Sequence, residues 1–311
     1  MASESTNDGP AATPSPGLPP VQPPSGRFIV QLFVVPGLII AAVVLVVLLL
    51  NFAVRSSRDP AYFLQQLDSD NADIRWRGAS DLAQILKRTE PATLRWKTDP
   101  RFALDLAERL DATFKRLCNE EKALADKAVA GGEENKKLIW RKLNKDRDLL
   151  AFLAAALGEF HAPVGAPVLC EILKHDNSPD LIGNTHQRRQ ALAALMNMGG
   201  HVRAIGELPA ESRARMITGL KEESAGDSAR AAWARTALYY LDKNALPTKA
   251  EQNVELVDAT LARCAADPDR FLRKLTAMAF TFWDGPLAEP TLLKLANDDG
   301  WGTLLEDDAR E

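Results

Sequence analysis

Three cysteines and four histidines are the side chains of this sequence that could bind a metal ion or act as nucleophiles. They are Cys118, Cys170, Cys264, His161, His175, His186 and His201. Cys170, His175 and His186 together could supply the thiolate and imidazole ligands of a zinc site. No pair of these three has the i, i+3 or i+4 spacing that places two ligands on one helical face, and 176–183 is typical of a loop. We therefore expect no metal ion and no cofactor, and we interpret the histidines as surface or turn residues.

The number and spacing of the cysteines also bear on disulfides. Three cysteines at wide, unrelated intervals do not resemble a disulfide framework. Because free cysteine is among the most often buried residue types, we expect three free thiols packed within helices.

Motifs that would indicate an enzyme are absent from the sequence. It contains no glycine loop that would cradle a phosphate, no nucleophile elbow and no His-Glu-x-x-His helix. Residues 297–300 resemble part of a calcium loop, but the first ligand position would fall on Leu295, which cannot coordinate calcium. We therefore predict no catalytic residues and no enzymatic activity.

Several tryptophans lie beside basic residues, a combination that suits the lipid headgroup region of a membrane. They are Trp76, Trp96 and Trp140. The alternative is that these rings pack between helices while the neighbouring basic side chains extend into solvent. Our candidate membrane-interface residues are Arg55, Arg58, Trp76 and Trp96. Trp233 and Trp283 fall on apolar helical stripes, and we expect both in the core.

One long apolar stretch, residues 28–54, contains no charged side chain. As a helix of 27 residues it would extend about 40 Å, against about 30 Å for the hydrocarbon core of a bilayer. It is longer than the core of a signal peptide, and no basic cluster precedes it. We predict a transmembrane helix at 27–54, joined by a short linker at 55–59 to everything that follows.

The flanks of this stretch indicate a topology. Arg27 precedes it, whereas Arg55, Arg58 and Arg75 follow it, so the positive-inside rule places the C-terminal part in the cytoplasm. Residues 1–26 include seven prolines and almost no large apolar side chains, and we expect a disordered tail outside the membrane. With 38 Lys and Arg against 42 Asp and Glu, the chain lacks the basic excess of a general nucleic-acid binder.

From Asp59 onward the sequence predicts short amphipathic helices. Asp59 followed by Pro60 is a helix start, and residues 74–86 form an apolar stripe of Ile74, Gly78, Leu82, Ile85 and Leu86. The string Asp73-Ile74-Arg75, with Gly78-Ala79 and Leu82 after it, resembles the second helix of a HEAT repeat. Similar strings occur at 188–195 and 272–280, and weaker ones at 156–160 and 231–238.

The spacing of these strings is consistent with repeats. The matching positions Leu82, Leu157, Leu195, Leu238 and Phe280 are separated by 75, 38, 43 and 42 residues. Three of these intervals are close to the roughly 40–47 residues of HEAT and armadillo units. The first is about double, so we expect a degenerate unit between Phe102 and Asn144 with a long helix at 101–129 that is interrupted at Gly131 and Gly132. Asp and Arg residues at the turns should tie neighbouring units together.

The resemblance implies an all-α fold, an α-solenoid of stacked helix pairs of HEAT or armadillo type at 60–296, with an acidic C-terminal tail at 297–311. A generic helical bundle is the alternative fold. A solenoid presents an extended surface for protein binding, so we predict a membrane-anchored scaffold with a protein partner and no small-molecule ligand. Candidate contact residues on the second helices are Arg77, Asp81, Arg189, Arg235 and Lys274.

Two other functions stay open at this point. Some HEAT-like folds resemble lyases or base-excision glycosylases, which would make the chain an enzyme or an enzyme-associated subunit. Alternatively, the chain is an accessory subunit of a membrane complex, in which 28–54 itself contacts another membrane protein through Gly37, Ala41 and Ala42.

Overall fold

A computed structural model describes residues 27, 30–56, 59–175, 184–241, 251–283 and 285–297, with the side chains at 31, 33, 50–56, 124–142, 184–185 and 251–256 excepted. Throughout these ranges the backbone forms helices and turns, with no strand, which confirms the predicted all-α class. The chain divides into two compact units, 1–58 and 59–311. The expected tails at 1–26 and 298–311 lie outside the described residues.

The first unit contains a π-helical segment, Val30–Val34, followed by helix α1, Val35–Ser56. Pro36 occupies the first turn of α1, where its missing N–H removes no intrahelical hydrogen bond. The predicted continuous helix over 27–54 is therefore divided near Pro36, which cannot donate the bond that would extend the α-helix towards the N-terminus. In the part of the chain that the structure describes, no helix is both long enough and apolar enough to cross a membrane. The predicted transmembrane helix is thus not supported there.

The second unit contains eleven described helices. They are α2 (Pro60–Leu67), α3 (Ala72–Leu86), α4 (Pro91–Lys97), α5 (Pro100–Leu157), α6 (Ala166–Lys174), α7 (Asn184–Arg203), α8 (Ala210–Glu223), α9 (Ala229–Leu241), α10 (Glu251–Cys264), α11 (Arg270–Phe280) and α12 (Ala288–Ala296). A 3-10 turn, Ala204–Glu207, follows α7.

Local sequence signals account for most of the helix starts. The predicted start at Asp59 is confirmed, because its carboxylate accepts a hydrogen bond from the Tyr62 backbone N–H at 2.9 Å. Asp99 and Asp269 cap α5 and α11 in the same way. Proline stands at the first position of α2, α4 and α5, where its fixed φ favours helix entry.

Helix α5 is not a straight rod. A straight α-helix would separate residues 116 and 146 by about 45 Å, yet an Arg116 guanidinium nitrogen lies 3.1 Å from Asp146 Oδ1. Its first part, 100–123, and its last part, 143–157, therefore lie side by side and act as one helix pair. The expected interruption at Gly131 and Gly132 is not seen, because the backbone is helical without a break from Pro100 to Leu157.

The helices of the second unit pack in layers. One layer consists of α3, the last part of α5, α7 and α11, each packed on the next. Against it lie α2, α6 and α10, which pair with α3, α7 and α11 respectively. The stacked helix pairs expected from the repeat pattern are therefore present. Glycine permits one close approach in the stack, because a Cβ on Gly158 would lie 2.7 Å from the Ala194 Cα.

The helix at 231–238 departs from the predicted order. Helix α9 does not stand between α7 and α11, which pack directly on each other. Instead α8 and α9 form a hairpin against the first part of α5, and α9 also contacts α6 and α10. Arg230 holds it there, with its Nη1 2.7 Å from Asp105 Oδ1 and 3.3 Å from Glu108 Oε2. The interval of 43 residues between Leu195 and Leu238 is close to the repeat length, but these contacts place α9 in a separate, third layer.

The core confirms several expected positions and corrects one. Leu82, Trp233 and Trp283 are buried as predicted. Ile74, predicted to lie on the apolar stripe of α3, is 41% exposed. The buried stripe instead begins at Gly78, and the first turn of α3 makes polar contacts: Asp73 accepts from Lys145, and Arg75 donates to the Ser69 carbonyl.

Candidate functional site

Two of the five predicted contact residues are free to face a partner. Arg77 and Asp81 are exposed on α3, one helical turn apart. The other three candidates are only half exposed, and two of them have a structural role that the sequence pattern did not reveal.

Arg235 holds a turn together. Its Nη1 donates to the carbonyl oxygens of Ser224 at 2.8 Å and Gly226 at 2.7 Å, in the connection between α8 and α9. Arg75 and Arg273 make the same kind of contact, each to the carbonyls six and five residues before it. Arg235 is therefore a structural residue of the helical hairpin, and its contact with a partner stays a prediction.

Arg189 connects neighbouring helix pairs. It donates to both carboxylate oxygens of Asp269, at 2.8 and 3.0 Å, and its guanidinium lies 4.9 Å from the Phe271 ring centre. Burial acts to raise the pKa of Asp269, but the hydrogen bonds from Arg189 and the Phe271 N–H outweigh it and lower that pKa. Arg188 pairs with Asp267 beside this contact. The predicted contacts between Asp and Arg residues at neighbouring turns are confirmed, and Arg189 makes one of them. Lys274, the last of the five candidates, is half-buried on α11.

The tryptophans predicted to meet a membrane pack within the protein. Trp76 forms an edge contact with Phe152 at 5.6 Å between ring centres, and Trp96 contacts Phe63 at 6.1 Å. Both rings are half-buried between helices, which favours the alternative in which they pack within the protein, and a membrane contact of their exposed parts stays a prediction. The side chains of Arg55 and Arg58, the other two interface candidates, lie outside the described residues.

A groove of about 760 Å³ opens where α8 passes the start of α5. Its walls come from the start of α2, the end of α4 and one face of α8. Its apolar lining includes Pro60, Trp96, Pro100 and Ala214. Gly219 sets the spacing of the walls, because a Cβ there would lie 2.6 Å from Pro100 Cγ.

Charged side chains surround this groove. Arg101 lies 3.0 Å from Glu222, and Arg215 lies 3.8 Å from Glu211, and all four side chains are more than half exposed. Arg95 is exposed at the rim and has no ion-pair partner among the residues that the structure describes. An apolar floor with a mixed, partly unpaired charged rim can hold an extended peptide by one apolar side chain and its charged neighbours.

The sequence does not predict the groove. Trp96 with its basic neighbours is equally typical of a membrane contact. Helix α8 contributes one whole wall, and no local pattern in the sequence places α8 beside Pro100 more than a hundred residues earlier.

The structure also bears on a metal site and on the three cysteines. Within the described ranges, no group of three or more His, Cys, Asp or Glu residues is arranged to hold a metal ion. Cys170 and Cys264 are buried, as expected, and burial raises their thiol pKa values to about 12 and about 11. Cys118, also expected to be buried, is half exposed on α5.

Comparison with known proteins assigns no family to the chain. No family profile matches it, and no curated protein matches it. Among solved structures it is similar to an engineered protein from a structural genomics consortium, with 16% identity over 77% of this chain and 85% of that one and a TM-score of 0.31. It is also similar to a designed armadillo repeat protein solved in complex with the peptide (KR)4, with 14% identity over 80% and 91% of the two chains and a TM-score of 0.29.

Proposed function

We propose that this chain is a non-enzymatic scaffold that binds an extended segment of a protein partner in the groove between α4, α8 and the start of α5. The observation that carries the proposal is the groove itself, about 760 Å³ with Trp96, Pro60 and Pro100 along its floor. Clefts with an aromatic floor and a charged rim are typical of peptide recognition. Exposed Arg77 and Asp81 on α3 are available for further contacts.

The rim indicates the chemistry of the partner. Arg95 has no described ion-pair partner, and Arg101 and Arg215 keep 65% and 54% of their side chains exposed. A segment with one large apolar residue beside Asp or Glu would cover the floor and pair with these arginines. Charge pairs at such an exposed rim contribute chiefly to specificity and to the rate of association.

The test places a carboxylate in the groove. Ala214 is exposed on the α8 wall, so Ala214→Glu alters the groove without disturbing the core. Proteins captured by the full-length chain and lost by this variant are candidate partners. The direct affinity of a purified candidate should then fall about tenfold, which corresponds to about 1.4 kcal/mol.

A matched control uses the same substitution outside the groove. Ala92 is exposed on α4 and does not line the groove, so Ala92→Glu should retain the partner at unchanged affinity. The proposal fails if every captured protein binds the two variants equally, or if a purified candidate binds both with the affinity of the unaltered chain.

We further propose that the first unit holds this scaffold at a membrane. Its support is the apolar surface of that unit, where every large apolar side chain described between Val30 and Leu49 is at least half exposed, from 50% at Val44 to 68% at Leu38. An exposed apolar surface of this extent is unfavourable in water and typical of a membrane or protein contact. We propose that the second unit faces the cytoplasm and that the N-terminal tail faces the other side.

Membrane association is tested by flotation of the full-length protein with lipid vesicles. Replacing Ile40 and Leu45 by lysine introduces two charges into the apolar surface and should abolish flotation; equal flotation of this variant would refute the proposal. Reporters fused after Glu311 test the orientation. A reporter that is active only in the cytoplasm should be active there, whereas one that is active only after export should not.

A further inference from the structure

A thiol and an imidazole, distant in sequence, meet at a second cavity. Cys118 on α5 and His175 at the end of α6 both line a cavity of about 510 Å³. The Cys118 sulfur lies 3.8 Å from each of the two ring nitrogens of His175. A protonated ring therefore presents positive charge to the sulfur whichever way the ring is flipped.

A buried carboxylate lies beside the imidazole. Glu121 Oε2 lies 3.7 Å from His175 Nε2, while Glu121 Oε1 accepts bonds from the Arg147 side chain at 2.8 and 3.1 Å. Glu121 and Arg147 are both buried, so the imidazole lies beside a buried ion pair. The Phe114 ring packs edge-on against the imidazole at 5.6 Å between centres.

Electrostatics in this cluster favour a charged imidazole. The contact with Cys118, followed by that with Glu121, raises the pKa of His175 to about 10. Burial acts to raise the pKa of Glu121, but the contacts with His175 and Arg147 outweigh burial and lower it. An imidazolium beside a thiol stabilises the thiolate, which is the nucleophilic form of cysteine.

The charges that face the cavity indicate what approaches the sulfur. Lys115 and Asn119 line it from α5, and Glu171 and Lys174 line it from α6. Among the residues that line the cavity, Lys115, Lys174 and a protonated His175 outnumber the one carboxylate, that of Glu171. Lys115 also pairs with Asp111 at 2.6 Å and Lys174 with Glu171 at 2.9 Å, so both ammonium groups are held at the rim.

We propose that Cys118 is a modification site, where its thiolate attacks a low-molecular-weight disulfide that carries carboxylates, of the glutathione disulfide type. The Cys118 sulfur forms a new S–S bond with one half of the reagent as the S–S bond of the reagent breaks. The electron pair leaves on the departing thiolate, which takes a proton from solvent. The product is a mixed disulfide on Cys118, and a reducing thiol reverses the exchange. This inference stands apart from the groove, whose lining shares no residue with this cavity.

The experiment measures the modification of each cysteine by peptide mass spectrometry in the full-length protein. Cys170 and Cys264 are buried and serve as internal controls. With iodoacetamide at pH 6.5, Cys118 should react faster than Cys170 and Cys264, because an imidazolium beside it favours the nucleophilic thiolate. With glutathione disulfide at pH 6.5, Cys118 alone should gain the mixed disulfide.

Two variants distinguish the electrostatic arrangement from simple exposure. His175→Gln keeps a polar side chain without the positive charge, so the rate of Cys118 modification at pH 6.5 should fall at least tenfold. The double variant Lys115→Gln, Lys174→Gln should slow the reaction with glutathione disulfide about threefold and leave that with uncharged iodoacetamide unchanged.

The proposal is overturned by any of four results. One is a rate of Cys118 modification at pH 6.5 that does not fall in His175→Gln, and another is modification of Cys170 or Cys264 as fast as Cys118. The third is a Cys118 that reacts with iodoacetamide but forms no mixed disulfide. The fourth is an equal slowing of the two reactions in the double lysine variant, which would refute the assigned class of reagent.

Discussion

Acid should destabilise the second unit through a pair of histidines. The His161 and His201 rings lie 4.5 Å apart between centres, next to the buried ion pair of Lys97 and Glu159, whose charged atoms are 3.4 Å apart. Burial, together with the charges of His201 and Lys97, lowers the pKa of His161 to about 4. Burial also lowers the pKa of His201, against the opposing influence of Glu159.

The sign and size of the effect follow from linkage. The unfolded chain binds a proton at His161 near pH 6.5, whereas the folded chain keeps this ring neutral down to about pH 4. The free energy of unfolding is therefore unaffected by this ring above pH 6.5, and it decreases as the pH falls from 6.5 to about 4. At pH 5 the loss from His161 alone is about 2 kcal/mol, because one pKa unit corresponds to about 1.4 kcal/mol.

The assay is urea unfolding followed by far-ultraviolet circular dichroism at pH 7 and pH 5. In His161→Gln the difference in unfolding free energy between the two pH values should shrink by about 2 kcal/mol, because the titrating ring is gone. His186 is exposed on α7, so His186→Gln should leave the difference unchanged. If His161→Gln shows the same pH dependence as the unaltered chain, burial of this ring does not produce the acid sensitivity and the reasoning is wrong.

Two stability predictions accompany this one. Arg147→Met leaves the buried Glu121 carboxylate without its guanidinium and should lower the unfolding free energy by about 3–5 kcal/mol in urea titration; a loss below 1 kcal/mol would mean that the pair contributes little. Gly158→Ala forces a Cβ to 2.7 Å from the Ala194 Cα and should cost about 1–3 kcal/mol, whereas Gly206→Ala, which meets no atom within 4 Å, should cost less than about 1 kcal/mol. Equal costs for the two glycines would contradict the tight packing of α5 on α7.

The sequence was most informative where structure depends on neighbouring residues. The start of α2 at Pro60 could be predicted, because the capping residue is its neighbour in the sequence. The contacts of Arg75 and Arg273 with the preceding turn are also local, since the interacting groups lie within six residues of each other. The position of α9 could not, because it is fixed by Arg230 and Asp105, which are 125 residues apart.

The candidate sites show the same contrast between local contacts and contacts of residues distant in sequence. Arg189 was expected to be available on the surface of a second helix, but its acidic partner Asp269 is 80 residues away. Cys118 and His175 are separated by 57 residues and belong to no recognisable motif. Trp96 was identified as distinctive, yet only the packing of α8 shows that it forms the floor of a groove.

The direct packing of α7 on α11 has a consequence for folding cooperativity. In a solenoid whose units contact only the next unit along the chain, folding can begin anywhere and spread stepwise. Here Arg188 on α7 contacts Asp267, 79 residues later in the turn before α11, and the α8–α9 hairpin lies within the loop that this contact closes. Closing such a loop costs chain entropy that only the completed interface recovers. The second unit should therefore unfold in a single transition, and its last helices should not be separable as independent repeats.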